Sequence, residues 1–416
     1  MASGDESPCR RRTGLAQLRA AYLVHNLADP AVAKRLRMLT AFGDEIVPIG
    51  FRRDEKPVDT VEGIAAVNLG RTFDADFRQR IAMILRQSAS LPAWAPRLRD
   101  CDVIIARNLE MLLLGALARR RFAPHASLVY EALDIHRFLL SKSLLGKTMR
   151  RLERTLLRRV DLLIVSSQAF LREYFMPMHA LGKDGGIETL VVENKLLPAS
   201  PNAAFSSGAL PPALPWQIGW FGMIRCRKSL DYLSDLAKRH PDLMRLTIRG
   251  RPSYTEFADF DAQIAETPGL SFGGTYRASD LGALYGGVHF NWAIDFFEEG
   301  ANSRWLLPNR IYEGGAYGAV PIAMDGTETT NWIRRHGIGV VLHSLDGFEK
   351  FLLQLSPERY AQLKAASSAV PRSAFIADDR DSVRLLEALH RAQTRHVHAR
   401  SRPFTRALDL GRARGA

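Results

Sequence analysis

Four short stretches of this sequence combine residue types that can do chemistry. In YEALDIHRF, residues 130–138, the groups Glu131, Asp134 and His136 follow an apolar run. A carboxylate or imidazole at such a strand end can take a proton from an attacking hydroxyl if geometry and pKa allow. The same residues can instead cap the basic helix that follows, a role that suits Asp134. In GWFGMIRCRKS, residues 219–229, a strand-like run leads into Arg225, Arg227 and Lys228, ahead of a helix predicted from near Ser229. Cations at a helix start form a site for a diphosphate. In YLVHNLADPAV, residues 22–32, Asp29 and Pro30 open a helix whose amides would favour an anion, with His25 and Asn26 on the turn before it. Those two either face a ligand or satisfy the turn's own polar groups.

The fourth stretch is EGANSRWLLPNRIYEGGAYGAVPIA, residues 299–323. On a helix starting near Asn309, Glu313 and Tyr317 share a face, as do Arg310 and Gly314. A carboxylate there can accept two hydrogen bonds from a vicinal diol. Gly314 and Gly315 each cost the helix about 1 kcal/mol relative to alanine, and the expected return is room for a nucleoside. Gly318 fits a C-terminal cap. FDADF, residues 73–77, contains an Asp-x-Asp pair but reads as a surface segment, and it is not taken as a metal site.

These stretches need a frame to hold them. Apolar runs begin near residues 20, 45, 102, 127, 161 and 188, and again near 216, 245, 270, 288, 319 and 339, alternating with helical segments. Val, Ile and Leu dominate without clean alternation, which predicts parallel strands covered on both faces. The fold class is α/β: two Rossmann-like doubly wound domains facing a cleft, with ligands beyond the carboxyl ends of the strands. The expected boundaries are a disordered basic arm over 1–18, an N-terminal domain over 19–200, a Pro-rich linker over 201–215, a C-terminal domain over 216–390 and a disordered basic tail over 391–416.

The 416 residues carry a formal charge of +13. Arg137 to Arg159 holds eight Lys or Arg against Glu153, and Arg391 to Ala416 holds seven Arg against Asp409, so these two segments account for the whole excess. Such patches attract phosphate-rich surfaces. No zinc-finger spacing or RNA-recognition aromatic motif accompanies them, so nucleic acid is not the expected partner. Three scattered cysteines, no long apolar span and no signal-like N-terminus predict a cytoplasmic protein. No G-x-G-x-x-G follows the first strand, which argues against a nicotinamide or flavin.

Taken together, the fourth stretch resembles the donor-site segment of GT-B glycosyltransferases of the large retaining-type family, whose pattern is K-x-x-E-x-x-A-x-G-x-P-V-I. Arg310 stands at the lysine, and Glu313, Ala316, Gly318 and Ile322 follow it, with the proline one place later at Pro321. FGMIRCRKS resembles the phosphate-binding turn of that family, with Gly222 at its glycine and Lys228 at its lysine; VVENKLL resembles the interdomain segment, with Asn194 at its asparagine. Two positions depart: the family's arginine falls on Met223, leaving Arg225 or Arg227 to serve, and its first glutamate falls on Trp305. The whole is most similar to exopolysaccharide glucosyltransferases of succinoglycan assembly.

The resemblance implies a donor site for a nucleoside diphosphate sugar formed by Glu313, Lys228, Arg225, Arg310, Asn309, Gly222, Asn302 and Ser303, with Glu313 on the ribose hydroxyls. It implies an acceptor side at His25 and Asn26, where a lipid-linked saccharide would bind. Asp134, Glu131 or His136 would be the base if the anomeric centre inverts, and would position the acceptor if it is retained. No cofactor or metal is required, since cations and helix amides hold the diphosphate. The Arg137 to Arg159 segment would place the enzyme on the anionic cytoplasmic face of the inner membrane. Three alternatives stay open: a GT-B-fold nucleotide-sugar 2-epimerase, a non-catalytic sugar-nucleotide-binding partner and a nucleic-acid-binding protein.

Overall fold

Strand β1, Arg19–Val24, is buried along all but its first residue. That is why it sits inside a sheet with helices on both faces rather than at an edge. The computed structural model describes residues 16–72, 86–181, 186–197 and 210–401. The Asp-x-Asp at 74–76 lies outside them.

β1 pairs in parallel with β2, Glu45–Arg52, and with β6, Val103–Arg107, and β6 pairs with β7, Ser127–Ala132. A small hairpin, β3 at Thr60–Val61 and β4 at Ile64–Ala65, precedes β5, Val67–Arg71; β8, Leu162–Val165, and β9, Glu188–Val191, complete a seven-stranded sheet ordered β5-β2-β1-β6-β7-β8-β9. The second sheet, β12-β11-β10-β13-β14-β15, contains β10 at Trp216–Ile224, β11 at Met244–Pro252, β12 at Leu270–Phe272, β13 at Phe290–Trp292, β14 at Val320–Met324 and β15 at Val340–Leu342. Its ladders are parallel throughout. In both sheets the strand order reverses beside the first strand, between β1 and β6 and between β10 and β13. Such switch points leave a crevice at the carboxyl ends of the strands.

By compactness the chain divides into one unit running to Glu131 with Leu156–Leu163 and Arg384 onward, and a second of Ala132–Thr155 and Ile164–Val383. The units do not divide at the expected linker. Within the second unit, Ser167 Oγ donates to the Trp305 carbonyl, the Tyr312 hydroxyl donates to Glu193 at 3.0 Å, and Leu196 bridges Ile376. Of the linker, residues 210–215 are described: the Pro211 carbonyl meets His289 Nε2 at 3.0 Å. The basic tail is likewise reassigned, because residues 391–401 continue a helix, Asp379–Ser401, that buries Ala392 and brings His396 Nδ1 to 3.1 Å from Asp161. At the other end Leu18 is already core, its amide bonded to Asp44 Oδ1 at 2.8 Å.

The centre of the first unit is charged. Glu131, fully buried, accepts from Arg35 Nε at 2.6 Å, from Arg107 Nε at 2.8 Å and from the Tyr22 hydroxyl at 2.6 Å. This ties β1, β6 and β7 to the helix Pro30–Thr40. Burial pushes the Glu131 carboxyl upward, but Arg107 and Arg35 outweigh it and hold the pKa at about 2. Glu131 is therefore no candidate base: it is sealed from any substrate and its proton affinity is too low. It is a structural counter-ion.

Glu131→Gln should destabilise the protein by about 3–5 kcal/mol, because two buried guanidinium groups lose their charge partner. The native contribution is present above the ordinary carboxyl value of 4.5 and declines as pH falls toward about 2. Urea unfolding of both proteins across this window should show that slope in the wild type and its loss in the variant.

Candidate active site

The carboxyl end of β10 is shaped by two glycines. Gly222 adopts φ +107°, and a side chain on its register partner Gly250 would strike the Gly222 carbonyl at 1.8 Å. Only the Tyr276 hydroxyl, 3.9 Å away, lies near the face of Gly222 where a Cβ would be. This leaves open surface beside the switch point. Beyond it, Met223 is half-exposed, and the helix Arg227–Arg239 begins earlier than expected, with Arg227 and Lys228 in its first turn.

Cations at a helix N-terminus face the unfavourable end of the helix dipole. The loop after β13 supplies the compensation. Lys228 Nζ lies 3.0 Å from both Glu299 carboxylate oxygens and 4.3 Å from the Phe296 ring centre. Arg225 donates to Asp295 at 3.1 Å and lies 4.5 Å from the centre of the Phe297 ring. Arg225, Lys228, Phe296 and Phe297, with Arg227, line a cavity of about 500 Å³. Arg227 itself turns aside, donating to the Glu256 carbonyl. Of the two arginines proposed in place of the one missing at Met223, Arg225 is the one held, like Lys228, by an acid of the loop after β13. The Lys228–Glu299 pair is half-exposed on both sides. Such pairs contribute about 1 kcal/mol or less, so a diphosphate with several acceptor oxygens can displace the glutamate.

The same loop holds an acid that sequence reasoning missed. Glu298 is half-buried; burial raises its pKa, against the opposing effects of Arg225 and an Asn302 hydrogen bond. Asn302 Oδ1 also accepts from the Ile135 amide at 3.2 Å, and Ser303 Oγ accepts from the Glu298 amide at 3.1 Å. Asn302 and Ser303 are buried. Their hydrogen bonds shape the loop. They also bring Glu298 within electrostatic reach of Asp134 and Arg137. The only sign of Glu298 in the sequence was a pair of glutamates ahead of a glycine, whereas the spacing pointed at Trp305. Trp305 is half-buried and engaged through its carbonyl.

In the 131–136 segment only Asp134 is exposed. His136, not Asp134, caps the following short helix, its Nδ1 accepting from the Phe138 amide at 3.3 Å. That hydrogen bond occupies the lone pair a base would use. In the first unit Asn26 Oδ1 accepts from the Ala28 amide at 3.2 Å, and His25 Nε2 lies 3.7 Å from Asp29, which caps the Ala31 amide as expected.

The helix Asn309–Ala316 sets Glu313. Its carboxylate is half-buried and accepts from the buried Tyr285 hydroxyl at 3.0 Å. Burial raises the Tyr276 hydroxyl pKa and Glu313 reinforces the shift, so the tyrosine remains a neutral donor. Arg310 turns under the helix, donating to the Trp292 carbonyl at 3.1 Å, and Asn309 Oδ1 accepts from Asn194. The glycines have a different explanation from the one expected. A Cβ on Gly315 would fall 2.1 Å from the Phe375 ring, and one on Gly314 would fall 2.7 Å from Asn291 Nδ2, which bonds the Arg310 carbonyl. They admit protein, not nucleoside.

Two parallel sheets, each with its switch point, have the GT-B fold of glycosyltransferases. Solved structures agree. A sucrose-phosphate synthase from Thermosynechococcus elongatus has a TM-score of 0.68 at 13% identity, covering 91% of this chain and 99% of that one. Anabaena HepE in complex with UDP and glucose has a TM-score of 0.63 at 16% identity, covering 90% and 100%. No protein-family model matches. The chain is 41% identical over 379 residues to the succinoglycan biosynthesis protein ExoL of Rhizobium meliloti, covering 89% of this chain and 93% of that protein, and it belongs to that family.

Gly315→Ala should destabilise the protein by about 1–3 kcal/mol through overpacking against Phe375, measured by urea unfolding. Glu299→Gln should leave stability within about 0.5 kcal/mol while tightening pyrophosphate binding several-fold by calorimetry, since Lys228 loses its internal competitor.

Proposed function

We propose that this protein transfers a hexosyl group, with glucose the favoured sugar, from a nucleoside diphosphate sugar to a lipid-linked oligosaccharide in exopolysaccharide biosynthesis. The observation that carries the reading is the grouping at the β10–β13 switch point. Arg225 and Lys228 lie just beyond β10, and Tyr276, within electrostatic reach of Glu313, lies beside the open face of Gly222. In this reading Glu313 accepts from the ribose hydroxyls and the cations take the diphosphate. Their stabilisation of the departing nucleoside diphosphate supplies the main electrostatic contribution. No metal is required. Asp134 takes the acceptor proton if the anomeric centre inverts, and orients the acceptor if it is retained. His25 and Asn26 remain the acceptor-side residues.

Relatives support this choice of donor and pathway. HepE has been solved with UDP and with UDP-glucose, and the relative ExoL is named for succinoglycan biosynthesis. Among the described residues no helix is long and apolar enough to cross a membrane. The proposed route to a lipid-linked acceptor is the basic segment Arg137 to Arg159 acting on the anionic cytoplasmic leaflet, where each basic residue contributes about 1 kcal/mol.

Glu313→Ala should weaken UDP binding at least tenfold by calorimetry with an unchanged circular dichroism spectrum, since alanine suits a helix. Labelled UDP-glucose with membranes as acceptor should yield a lipid-extractable product that the variant does not make. Unchanged UDP affinity in the variant would remove Glu313 from the donor site. Binding of single-stranded DNA without UDP would overturn the reading.

A further inference from the structure

The helix Leu144–Leu157 is built asymmetrically. Its one acid, Glu153, is fully buried, where it accepts from the Tyr174 hydroxyl and meets His179 Nε2 at 2.8 Å. The outward surface therefore keeps its cations without a counter-charge. Lys142, Lys147, Arg151 and Arg154 are all exposed, and none forms an ion pair among the described residues. At the head of this surface stand Leu144, 82% exposed and the most exposed large hydrophobic residue described, and Leu145, 40% exposed.

The two leucines are held outward by a rigid turn. A Cβ on Gly146 would lie 2.3 Å from the Ser141 carbonyl oxygen and 2.6 Å from that of Phe138, so the helix start is pressed onto the preceding turn. Ser143 Oγ accepts from the Gly146 amide at 3.1 Å. Arg150 Nη1 donates to the carbonyls of Leu139 and Ser141 at 2.6 and 2.7 Å. A single exposed leucine needs no explanation. Two adjacent ones on a clamped tip, inside a collar of cations without acidic partners, Arg154 donating only to the Met178 carbonyl, complement a surface that is anionic outside and apolar beneath.

We infer that Leu144 and Leu145 insert into the acyl boundary of an anionic bilayer while Lys142, Lys147, Arg151 and Arg154 contact its headgroup phosphates. The inference rests on the membrane reading above and adds an apolar anchor to it. Charge alone would give attachment that salt removes; an inserted pair leaves a component that salt does not remove. The anchor also has a consequence for the site. Asp134 precedes this tip in the chain, and the next residue, Ile135, is bonded to Asn302 of the Glu298 loop. The candidate base would thus be carried close to the headgroup layer, where the saccharide of a lipid-linked acceptor begins.

Co-sedimentation of the full chain with phosphatidylglycerol–phosphatidylcholine vesicles, at low and high salt, tests this. Wild type should bind these vesicles, should not bind phosphatidylcholine alone, and should keep part of its binding at high salt. Changing both Leu144→Ser and Leu145→Ser should weaken partitioning roughly a hundredfold, about tenfold for each partly buried leucine, and make the remainder fully salt-labile. Leu144→Trp should show blue-shifted emission on the anionic vesicles, in difference from wild type, and quenching by brominated lipid. Equal binding of the double serine variant and wild type would overturn insertion while leaving electrostatic attachment standing. Failure of wild type to bind anionic vesicles would overturn both.

Discussion

The helix Asn309–Ala316 approaches strand β13 so closely that Asn291 reaches its backbone, and the positions of Arg310 and Glu313 depend on that approach. Two glycines make it possible. Gly314 leaves room for the Asn291 amide, and Gly315 leaves room for Phe375. With the helix pressed down, Arg310 is turned beneath it and Glu313 is aimed at Tyr285 and Tyr276, beside the open face of Gly222. The helical cost of the glycines, about 1 kcal/mol each, is offset by packing, and the carboxylate gains a defined position from it.

The second organising constraint is electrostatic. Lys228 occupies the first turn of its helix, where a cation is disfavoured, and Arg225 stands just before it. The loop after β13 answers both with Glu299 and Asp295, and adds the faces of Phe296 and Phe297. Each of the two cations is thus held by an acid of that loop. Asp295 is mostly buried and anchors Arg225, whereas Glu299 is exposed and exchangeable. This difference in burial separates a positioning contact from a replaceable one.

Much of the fold was legible in the sequence because its cues are local. Uninterrupted Val, Ile and Leu runs mark strands covered on both faces, Asp29 and Pro30 mark a helix start, and the glycines around residue 315 mark a close approach. What approaches was not legible. Composition suggests that Gly314 and Gly315 make space for a nucleoside, but their partners are Asn291 and Phe375, the latter sixty positions downstream in sequence. Glu131, Asp134 and His136 looked equivalent as candidate bases. The fold separates them into a buried counter-ion, an exposed acid and a helix cap. Glu298 was passed over because the family's spacing led to Trp305 instead.

The sequence by itself determined twelve of the fifteen strands described, the parallel sheets, the segment bearing Glu313 and the excess of positive charge between residues 137 and 159. These follow from side-chain type and short-range spacing, which local backbone preferences can read. The tertiary structure alone decided which way each charge points. Glu153 is taken inward by Tyr174 and His179, leaving the cations outside, while Glu131 is taken inward by Arg35 and Arg107. Burial and ion pairing are set by elements distant in the chain, and they decide whether a carboxylate serves as a base, a counter-ion or a clamp.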